Sequence, residues 1–277
     1  MITNKSYQNN KSTLYLVATP IGNLGDITYR AIEILSSVDF IFCEDTRITQ
    51  KLLNHLDIKK KLYSYHEHNE NIEKDRILNL LSEGHDVALV SDAGTPVISD
   101  PGFEVVREAY VEYNVVPIPG ASAATMALIV SGLPPKPYTF YGFLDRNKRK
   151  RQLQEIRSIR HTMIFYESIH RLDKCLIDLH EVFGDRMIVI AREMTKKFEE
   201  FSYGRISEFI ENPVTSKGEI VLVVEGNTEE DEITVSVSEH VDIYIEEGLH
   251  PTEAIKRVAK ERNMRKQDVY NEYHNIH

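Results

Sequence analysis

The sequence has little cysteine, no long hydrophobic run and fewer basic than acidic residues. Its two cysteines, Cys43 and Cys175, are too few for a disulfide framework and lack metal-motif spacing, so we expect a reducing cytoplasm and no metal. No apolar run reaches the roughly 20 residues that a membrane span needs, so we expect no membrane partner. The formal net charge of −10 argues against a protein that coats nucleic acid indiscriminately, although it allows a local basic surface.

Two common nucleotide-binding signatures are also missing. Neither the dinucleotide fingerprint GxGxxG nor the phosphate-binding loop GxxxxGK[ST] occurs in the chain. His66 and His68 could offer two metal ligands from one strand end, but no third ligand follows at metal spacing. These absences disfavour the nucleotide-binding proteins that carry either signature.

Short β-rich runs alternate with amphipathic stretches along most of the chain, which predicts an α/β fold. The alternation of strand and helix in the first half implies a mostly parallel sheet with helices on both faces, and a second α/β unit follows. The predicted strands are residues 14–19, 39–44, 61–65, 86–91, 114–118, 138–143, 162–167, 187–193, 199–206 and 219–226. The predicted helices of the first half are residues 27–38, 48–56, 71–84 and 103–113.

Composition divides the chain into four segments. Residues 1–12 are polar and lack the apolar core of a signal peptide, so we expect a disordered N-terminal tail. Residues 13–119 and 120–226 are expected to form an N-terminal and a C-terminal α/β domain. Residues 227–277 are expected to be an acidic linker and a small helical domain, with a helix, a short turn at Asn263 and a second helix.

Polar or glycine-rich loops follow the first four predicted strands, at residues 19–26, 44–47, 66–70 and 91–102. In an open α/β sheet, ligands bind outside the carboxyl ends of the strands, so these loops predict one site. The last loop, SDAGTPVISDPG, contains two glycines that allow close backbone approach and two prolines that stiffen it. Any one of these residues would also suit a simple tight turn, and only the set of loops indicates a ligand.

Two basic stretches stand out against the acidic average. The first, residues 146–160, holds seven basic residues and one acidic residue; the second lies in the tail at residues 256–266. A basic run is often only a solvated helix face. Two such runs in so acidic a chain favour the interpretation that basic charge is concentrated there to bind RNA or another polyanion.

Eight segments in order carry a family resemblance: LYLVATPIGNLGDIT, CEDTRITQKLL, YHEHNE, SDAGTPVISDPG, GASAATMALIVSGLP, FYESIHRL, AREMTKKFEE and KGEIVLVVEG. Together they resemble the small-subunit ribosomal RNA cytidine 2′-O-methyltransferases of the tetrapyrrole-methylase (class III methyltransferase) superfamily. The resemblance covers about residues 13 to 226, and the tail fits the small helical domain of these enzymes. Ala121 and Ile169 stand where the family often has proline, which leaves the resemblance intact.

The resemblance implies a homodimer of two α/β domains of the tetrapyrrole-methylase type, with S-adenosylmethionine in the cleft between them and a small C-terminal helical domain. The motifs place cofactor contacts on backbone and small polar groups from both domains. The cofactor-binding positions implied are Pro20, Gly22, Ser91, Asp92, Ala93, Gly94, Ile98, Ser122, Tyr166 and Gly218.

The implied substrate is the ribose 2′-hydroxyl of a cytidine in the decoding region of 16S rRNA (position 1402 in the usual rRNA numbering), within the small ribosomal subunit. Basic side chains would then meet rRNA phosphates, which fix orientation without reading sequence. The RNA-binding residues expected are His66, His68, Arg146, Lys148, Arg149, Lys150, Arg151, Lys256, Arg257, Arg265 and Lys266.

The segment EDTR is the expected source of the proton acceptor, because a ribose hydroxyl is a poor nucleophile at neutral pH. We expect Asp45, slightly ahead of Glu44, to orient or deprotonate the hydroxyl, while Arg47 holds a neighbouring phosphate. The alternative is structural: Asp45 caps the following helix and Arg47 pairs with it. His66 and Glu199 are further candidates for the base.

Three other functions remain open at this point. The chain could methylate carbon on a tetrapyrrole, although a small planar macrocycle requires neither the basic run nor the helical tail. It could be a non-catalytic ribosome-assembly factor that keeps the cofactor pocket, although EDTR, SDAGTP and KGE are intact. The tail could also be a helix-turn-helix that binds DNA, but its basic residues suit RNA equally well.

Overall fold

The computed structural model describes residues 2–6, 8–213, 217–228, 235–262 and 264–274. The chain forms two compact units, Met1–Asn227 and Thr228–His277. The first unit contains two five-stranded sheets with helices packed on them, and the second contains three helices. This arrangement confirms the predicted fold class, two α/β sheets followed by a small helical part.

The first sheet is entirely parallel, in the strand order β3-β2-β4-β1-β5. Its strands are β1 (Thr13–Val17), β2 (Phe40–Cys43), β3 (Leu62–Ser64), β4 (Val87–Val90) and β5 (Asn114–Ile118). All four residues of the central strand β4 are buried, as expected where helices cover both faces of a sheet. Because every strand runs the same way, the loops after the strands lie at one edge.

Four helices cover this sheet: α1 (Tyr29–Ser37), α2 (Thr46–His55), α3 (Glu70–Ser82) and α4 (Phe103–Glu112). Leu35 of α1 and Leu53 of α2 belong to one apolar cluster, whereas Ile77 of α3 and Val105 of α4 belong to another. The two clusters are the two layers of core on opposite faces of the sheet.

The second sheet is mixed, in the order β6-β7-β10-β8-β9, with only β6 and β7 parallel. Its strands are β6 (Tyr138–Phe143), β7 (Thr162–Ser168), β8 (Met187–Arg192), β9 (Glu200–Arg205) and β10 (Glu219–Val224). The last strand in sequence, β10, therefore lies in the centre. The helices of this half are α5 (Ala123–Val130), α6 (Arg149–Ile156), α7 (Leu172–Phe183) and α8 (Ile206–Glu211).

The second unit consists of α9 (Val237–Glu246), α10 (Pro251–Glu261) and α11 (Lys266–Tyr273). Ser236 and Glu239 form a capping box at the start of α9. The three helices share a small apolar core that includes Val241, Val258 and Val269. The predicted helix–turn–helix is present as α10 and α11, but the predicted turn residue Asn263 lies outside the described residues.

All ten predicted strands and the four predicted helices of the first half are found, with ends that differ by a few residues. Near the N-terminus, the Asn9 and Asn114 side-chain amides exchange two hydrogen bonds, at 3.0 and 2.8 Å. The predicted domain boundaries and the disordered tail stay predictions. Among the described residues, no helix has the length and apolar character needed to cross a membrane.

Candidate active site

A cavity of about 630 Å³ lies where the loops at the carboxyl edge of the first sheet face the second sheet. Loops after β1, β2 and β4 form one wall, and the start of α5, the ends of β6 and β7 and the start of β10 form the other. This volume is in the range of small-molecule and cofactor sites. The loop 91–102 contributes eight residues to the wall, more than any other segment.

The loop 91–102 has an unusual backbone. Gly94 has a φ of +86° and exchanges two backbone hydrogen bonds with Thr19, at 2.9 and 3.0 Å. A Cβ at Gly94 would lie 3.2 Å from Cγ2 of Ile21, so little room exists for a side chain. Val97 and Ser99 also have positive φ values, of +72° and +66°, which is uncommon for any residue but glycine and rarest for a β-branched one such as valine. Such strain persists where surrounding structure enforces it, commonly at functional sites.

Contacts around the start of α5, β6 and β7 close the other side of the cavity. Thr95 Oγ1 donates a hydrogen bond to the carbonyl of Ala121 (3.1 Å), and the amide of Ala124 donates to the hydroxyl of Tyr166 (3.3 Å). Gly142, at a φ of +62°, lies so close to the loop that a Cβ would stand 2.7 Å from Ser99 Oγ. The strained loop is therefore held against both α5 and β6.

Three carboxylates in the cavity wall, Glu44, Asp92 and Asp100, carry raised pKa values. Burial is the largest cause for each, and Asp92 raises the pKa of the other two through its charge. Asp92 accepts a hydrogen bond from the Asp45 amide (2.9 Å), and Asp100 accepts one from the Ser91 hydroxyl. Within the described residues, none of the three forms an ion pair.

The other two carboxylates of the wall are neutralised by cations. Glu167 binds Arg149 (2.8 Å) and Arg171 (2.7 Å), while Glu219 binds Lys196 (3.0 Å). Lys217 also lines the wall, but the three carboxylates without an ion pair, Glu44, Asp92 and Asp100, outweigh its charge and leave the wall net negative. A positively charged ligand would balance this charge.

The residues of the segment EDTR, at positions 44–47, have different structural roles. Asp45 caps α2 by accepting the Arg47 amide (2.8 Å), and its carboxylate also binds the Arg47 guanidinium (2.6 Å). These hydrogen bonds lower the pKa of Asp45 to about 2. Glu44 lines the cavity, whereas Asp45 and Arg47 do not. The structure therefore has the alternative arrangement of helix cap and ion pair, and of these two carboxylates only Glu44 lines the cavity.

The structure brings most of the predicted cofactor positions together. Those that line the cavity are Ser91, Asp92, Ala93, Gly94, Ile98, Ser122, Tyr166 and Gly218. Pro20 and Gly22 do not line it, although Ile21 between them does. A Cβ at Gly22 would instead stand 2.5 Å from Cγ of Lys196, so that glycine faces the chain after β8.

The two histidines after β3 lie near this site. The charge of His66 lowers the pKa of Glu44, which places the two groups close together. Nδ1 of His66 is buried and has no hydrogen-bond partner among the described residues. His68 is exposed, with its ring centroid 6.0 Å from that of His66. Glu199 accepts the Thr195 amide (2.6 Å) and is absent from the cavity wall.

The first basic stretch requires one correction. Arg149 was expected to contact RNA, but it is only 4 % exposed and binds Asp178 (2.7 Å) and Glu167 (2.8 Å). It is a buried ion-pair residue and cannot reach a phosphate. Arg146 and Lys148 are exposed, whereas Lys150 and Arg151 are exposed but paired with Glu181 and Glu155.

The basic residues of the tail are exposed, and two of them have acidic partners. Arg257 binds Glu261 (3.2 Å) and stacks over the ring of Tyr244, while Arg265 binds Asp268 (2.8 Å). Lys256 and Lys266 are exposed on α10 and α11. Exposed ion pairs contribute little free energy, so these arginines could still contact an anion.

Several cavity residues were not among the predicted ones. The most informative are Asp100, Phe143, Glu167 and Met194. Asp100 could have been predicted as a site residue, because it lies with Asp92 in the loop 91–102 and a carboxylate there has few structural uses. Phe143 and Glu167 come from ends of β6 and β7, and only the pairing of these strands brings them to the cavity.

A family model described as Tetrapyrrole (Corrin/Porphyrin) Methylases matches residues 13–210. The chain therefore belongs to the tetrapyrrole methylase family, a family of methyltransferases whose sheets and cavity it shows.

Three curated relatives carry the name ribosomal RNA small subunit methyltransferase I. The relative from Halalkalibacterium halodurans is 50 % identical over 287 residues, covering 99 % of each chain. The relative from Bacillus subtilis is 50 % identical and covers 94 % of each chain, and one from Streptococcus pyogenes is 42 % identical over the full length of both.

Solved structures support the fold alone. A diphthine synthase structure matches with a TM-score of 0.63 at 16 % identity, covering 78 % of this chain and 90 % of that one. A uroporphyrin-III-C-methyltransferase from Thermus thermophilus matches with a TM-score of 0.55 at 20 % identity, covering 78 % and 94 %.

Proposed function

We propose that this protein transfers a methyl group from S-adenosylmethionine to the ribose 2′-hydroxyl of a cytidine in the decoding region of 16S rRNA, within the small ribosomal subunit. The observation that carries the proposal is the uncompensated acidic cavity at the carboxyl edge of a methylase fold. The shared name of relatives at 42–50 % identity supports the ribosomal substrate.

The cavity fits this methyl donor in charge and in shape. S-adenosylmethionine carries a sulfonium and an ammonium group and, when bound, supplies an electrophilic methyl group. Asp92 and Asp100 offer carboxylates to those cations, and at Gly94 the backbone lines the cavity without a bulky side chain. Met194 and Ile21 give the wall an apolar portion that excludes water.

Glu44 is the proposed acceptor of the ribose proton. It lines the cavity and remains accessible from outside, so a substrate hydroxyl can reach it. Its raised pKa brings the carboxylate closer to the pKa that a general base uses near neutral pH, while the pKa of about 2 makes Asp45 a weak base. Asp45 then acts as a positioning residue, because it caps α2 directly after Glu44.

The exposed cations outside the cavity are the proposed rRNA contacts. Arg146, Lys148 and Arg151 lie just after β6, whose last residue lines the cavity. Phosphate contacts of this kind orient the RNA, and the target nucleotide is extruded from its neighbours to reach the donor. The exposed residues Arg47 and His68 extend this proposed surface.

One experiment tests the proposal directly. Purified protein is incubated with labelled S-adenosylmethionine and small subunits that lack the modification, and mass spectrometry of the digested 16S rRNA locates the label. We expect one methyl group on the ribose of a single cytidine. Methyl on a base carbon, or no transfer to subunits under conditions where the donor binds, would contradict it.

Carbon methylation of a tetrapyrrole is the second candidate, favoured by the fold shared with the uroporphyrin-III-C-methyltransferase. The same assay with a tetrapyrrole acceptor in place of subunits separates the two functions. The homodimer and the cytoplasmic location implied by the resemblance stay predictions, and light scattering of the purified protein tests the first.

A further inference from the structure

An irregularity in β6 turns one aromatic residue toward the cavity mouth. The pairing of β6 with β7 shifts register between Phe140 and Gly142, which is a β-bulge. Bulges near active sites re-aim the side chain that follows them. Here that residue is Phe143, which lines the cavity while 57 % of it is exposed. The bulge is enforced, since Gly142 has a φ of +62° and no room for a Cβ against Ser99.

The ring of Phe143 contacts one aromatic ring and is otherwise largely exposed. It meets Tyr166 in a T-shaped contact, with ring centroids 5.4 Å apart, and Tyr166 is held in turn by Phe140 and by the Ala124 amide. No other ring contact of Phe143 occurs among the described residues. A large apolar ring that is largely exposed at a cavity mouth is a surface for stacking.

Exposed cations follow Phe143 within a short, fixed loop. The carboxylate of Asp145 accepts the amides of Asn147 (2.7 Å) and Lys148 (3.2 Å), which closes a tight turn directly after the ring. Arg146 is three residues from Phe143, so their backbones are at most about 10 Å apart. An aromatic ring with cations at this separation matches a nucleotide, whose base stacks while its phosphates bind the cations.

We propose that Phe143 is the base-stacking residue that holds the extruded substrate nucleotide over the cavity, with Arg146 and Lys148 on its flanking phosphates. This inference rests on the proposed function and adds a specific binding residue to it. The acidic cavity disfavours a phosphate inside, which leaves the exposed ring and the basic loop outside as the place for the polyanion.

The test compares Phe143→Ala, Phe143→Leu and Phe143→Tyr. The probe is a decoding-region RNA hairpin with pyrrolocytidine at the target cytidine, because stacking on a protein ring quenches its fluorescence. We expect quenching with the wild type and Phe143→Tyr, and its loss with the other two. Binding to small subunits should weaken about 5- to 150-fold in Phe143→Ala, the factor that corresponds to ~1–3 kcal/mol per stacked base. Phe143→Leu keeps an apolar side chain of similar volume but has no ring, so it should not restore the wild-type affinity.

Two controls separate stacking from other roles. Tyr110→Ala removes an exposed aromatic residue of α4 that does not line the cavity, and it should leave quenching unchanged. Calorimetry should give the same S-adenosylmethionine affinity for Phe143→Ala as for the wild type. A parallel loss of donor affinity would place Phe143 in the cofactor site and overturn the proposal, as would no quenching with the wild type or equal quenching with Phe143→Ala.

The methylation assay tests the proposed function independently of the stacking role. If the wild type quenches the probe through Phe143 but transfers no methyl group to subunits, the proposed function fails while the stacking role stands. If it methylates the cytidine and Phe143→Leu retains the wild-type KM and kcat for subunits, the stacking role fails while the function stands.

Discussion

The inside of the cavity and the loop outside its mouth have opposite charge. Inside, Glu44, Asp92 and Asp100 have raised pKa values and no cationic side chain bound to them in the described structure. Outside, Arg146 and Lys148 are exposed, and the described structure gives them no acidic partner. The overall charge of −10 hides this separation. This separation of charge fits the two ligands that we propose, a small cation inside the cavity and a polyanion outside it.

The largest effect is expected from Glu44→Gln. This change keeps the size of the side chain but removes the proton acceptor, so turnover should fall by roughly 10²- to 10⁴-fold. Single-turnover methylation of small subunits measures it. The matched control is Asp45→Asn, which keeps a good helix cap and should change the rate only a few-fold. If Asp45→Asn lost as much activity as Glu44→Gln, the assignment of the base would be reversed.

Arg149→Met should be the most damaging change to stability in the basic stretch. It leaves the buried Asp178 with only Lys150, at 3.7 Å, and the buried Glu167 with only Arg171, at a cost of up to roughly 3–5 kcal/mol. Denaturant unfolding measures the loss. Lys148→Met, at an exposed neighbour, should stay within roughly 0.5 kcal/mol of the wild type. Equal stability of the two variants would show that Arg149 belongs with the exterior cations.

Reversing the charge of the exposed loop after β6 should weaken binding of the polyanion and leave donor binding unchanged. The double variant Arg146→Glu and Lys148→Glu should weaken subunit binding roughly tenfold or more and flatten its salt dependence, because fewer counterions are released. Donor affinity should not change. The control pair Lys59→Glu and Lys61→Glu carries the same charge change just before β3, at the opposite edge of the sheet from the cavity. Comparable losses from both pairs would mean that net charge alone matters.

Acid should weaken binding of the methyl donor several-fold. The raised pKa values of Glu44, Asp92 and Asp100 mean that these groups take up protons at a higher pH than free carboxylates do. A bound cation favours their ionised forms, so binding releases protons and affinity falls as pH decreases through the raised pKa values. Calorimetry between about pH 8 and pH 5 measures this. S-adenosylhomocysteine, which lacks the sulfonium charge, should show a weaker pH dependence.

The smallest effect on donor binding is expected from removing the tail. A chain that ends after Thr228 keeps the first compact unit, including the hydrogen bond from Asn227 to the carbonyl of Ile159 (2.6 Å). It should fold and bind S-adenosylmethionine as the full chain does. Subunit methylation should fall if the exposed lysines of α10 and α11 help hold RNA. Loss of donor affinity in the truncated chain would show that the tail is needed for the cofactor-binding unit.

Strands and the loops at the sheet edge could be predicted because their signals are local. Runs such as Val87–Val90, bounded by polar residues, have few other interpretations, and parallel strands bring the following loops together. Helix α5 was not predicted, because its residues are apolar nearly all around and show no helical period. The short connection between β8 and β9, residues 193–199, could have predicted their antiparallel pairing, since a parallel crossover needs a dozen or more residues.

The site was harder to predict where a residue's partner lies far along the chain. Arg149 differs from Lys148 only because its helix face turns inward, and Leu153 four residues later was the available signal. Its partners Glu167 and Asp178 could not be read from the sequence. Asp45 and Glu44 are neighbours whose roles depend on direction: one side chain turns back to cap α2 and the other enters the cavity wall.

The position of β10 in the middle of the second sheet has a consequence for synthesis of the chain. A nascent chain leaves the ribosome with its N-terminus first. The strands β6 to β9 are therefore available before β10 can pair with β7 and β8. Until then β7 and β8 lack their shared neighbour, and the cavity lacks the wall from Gly218 to Val221. A nascent chain can therefore complete the first, parallel sheet while the site is still open. The ability to hold a methyl donor arises late, in a single insertion step near the end of the larger unit.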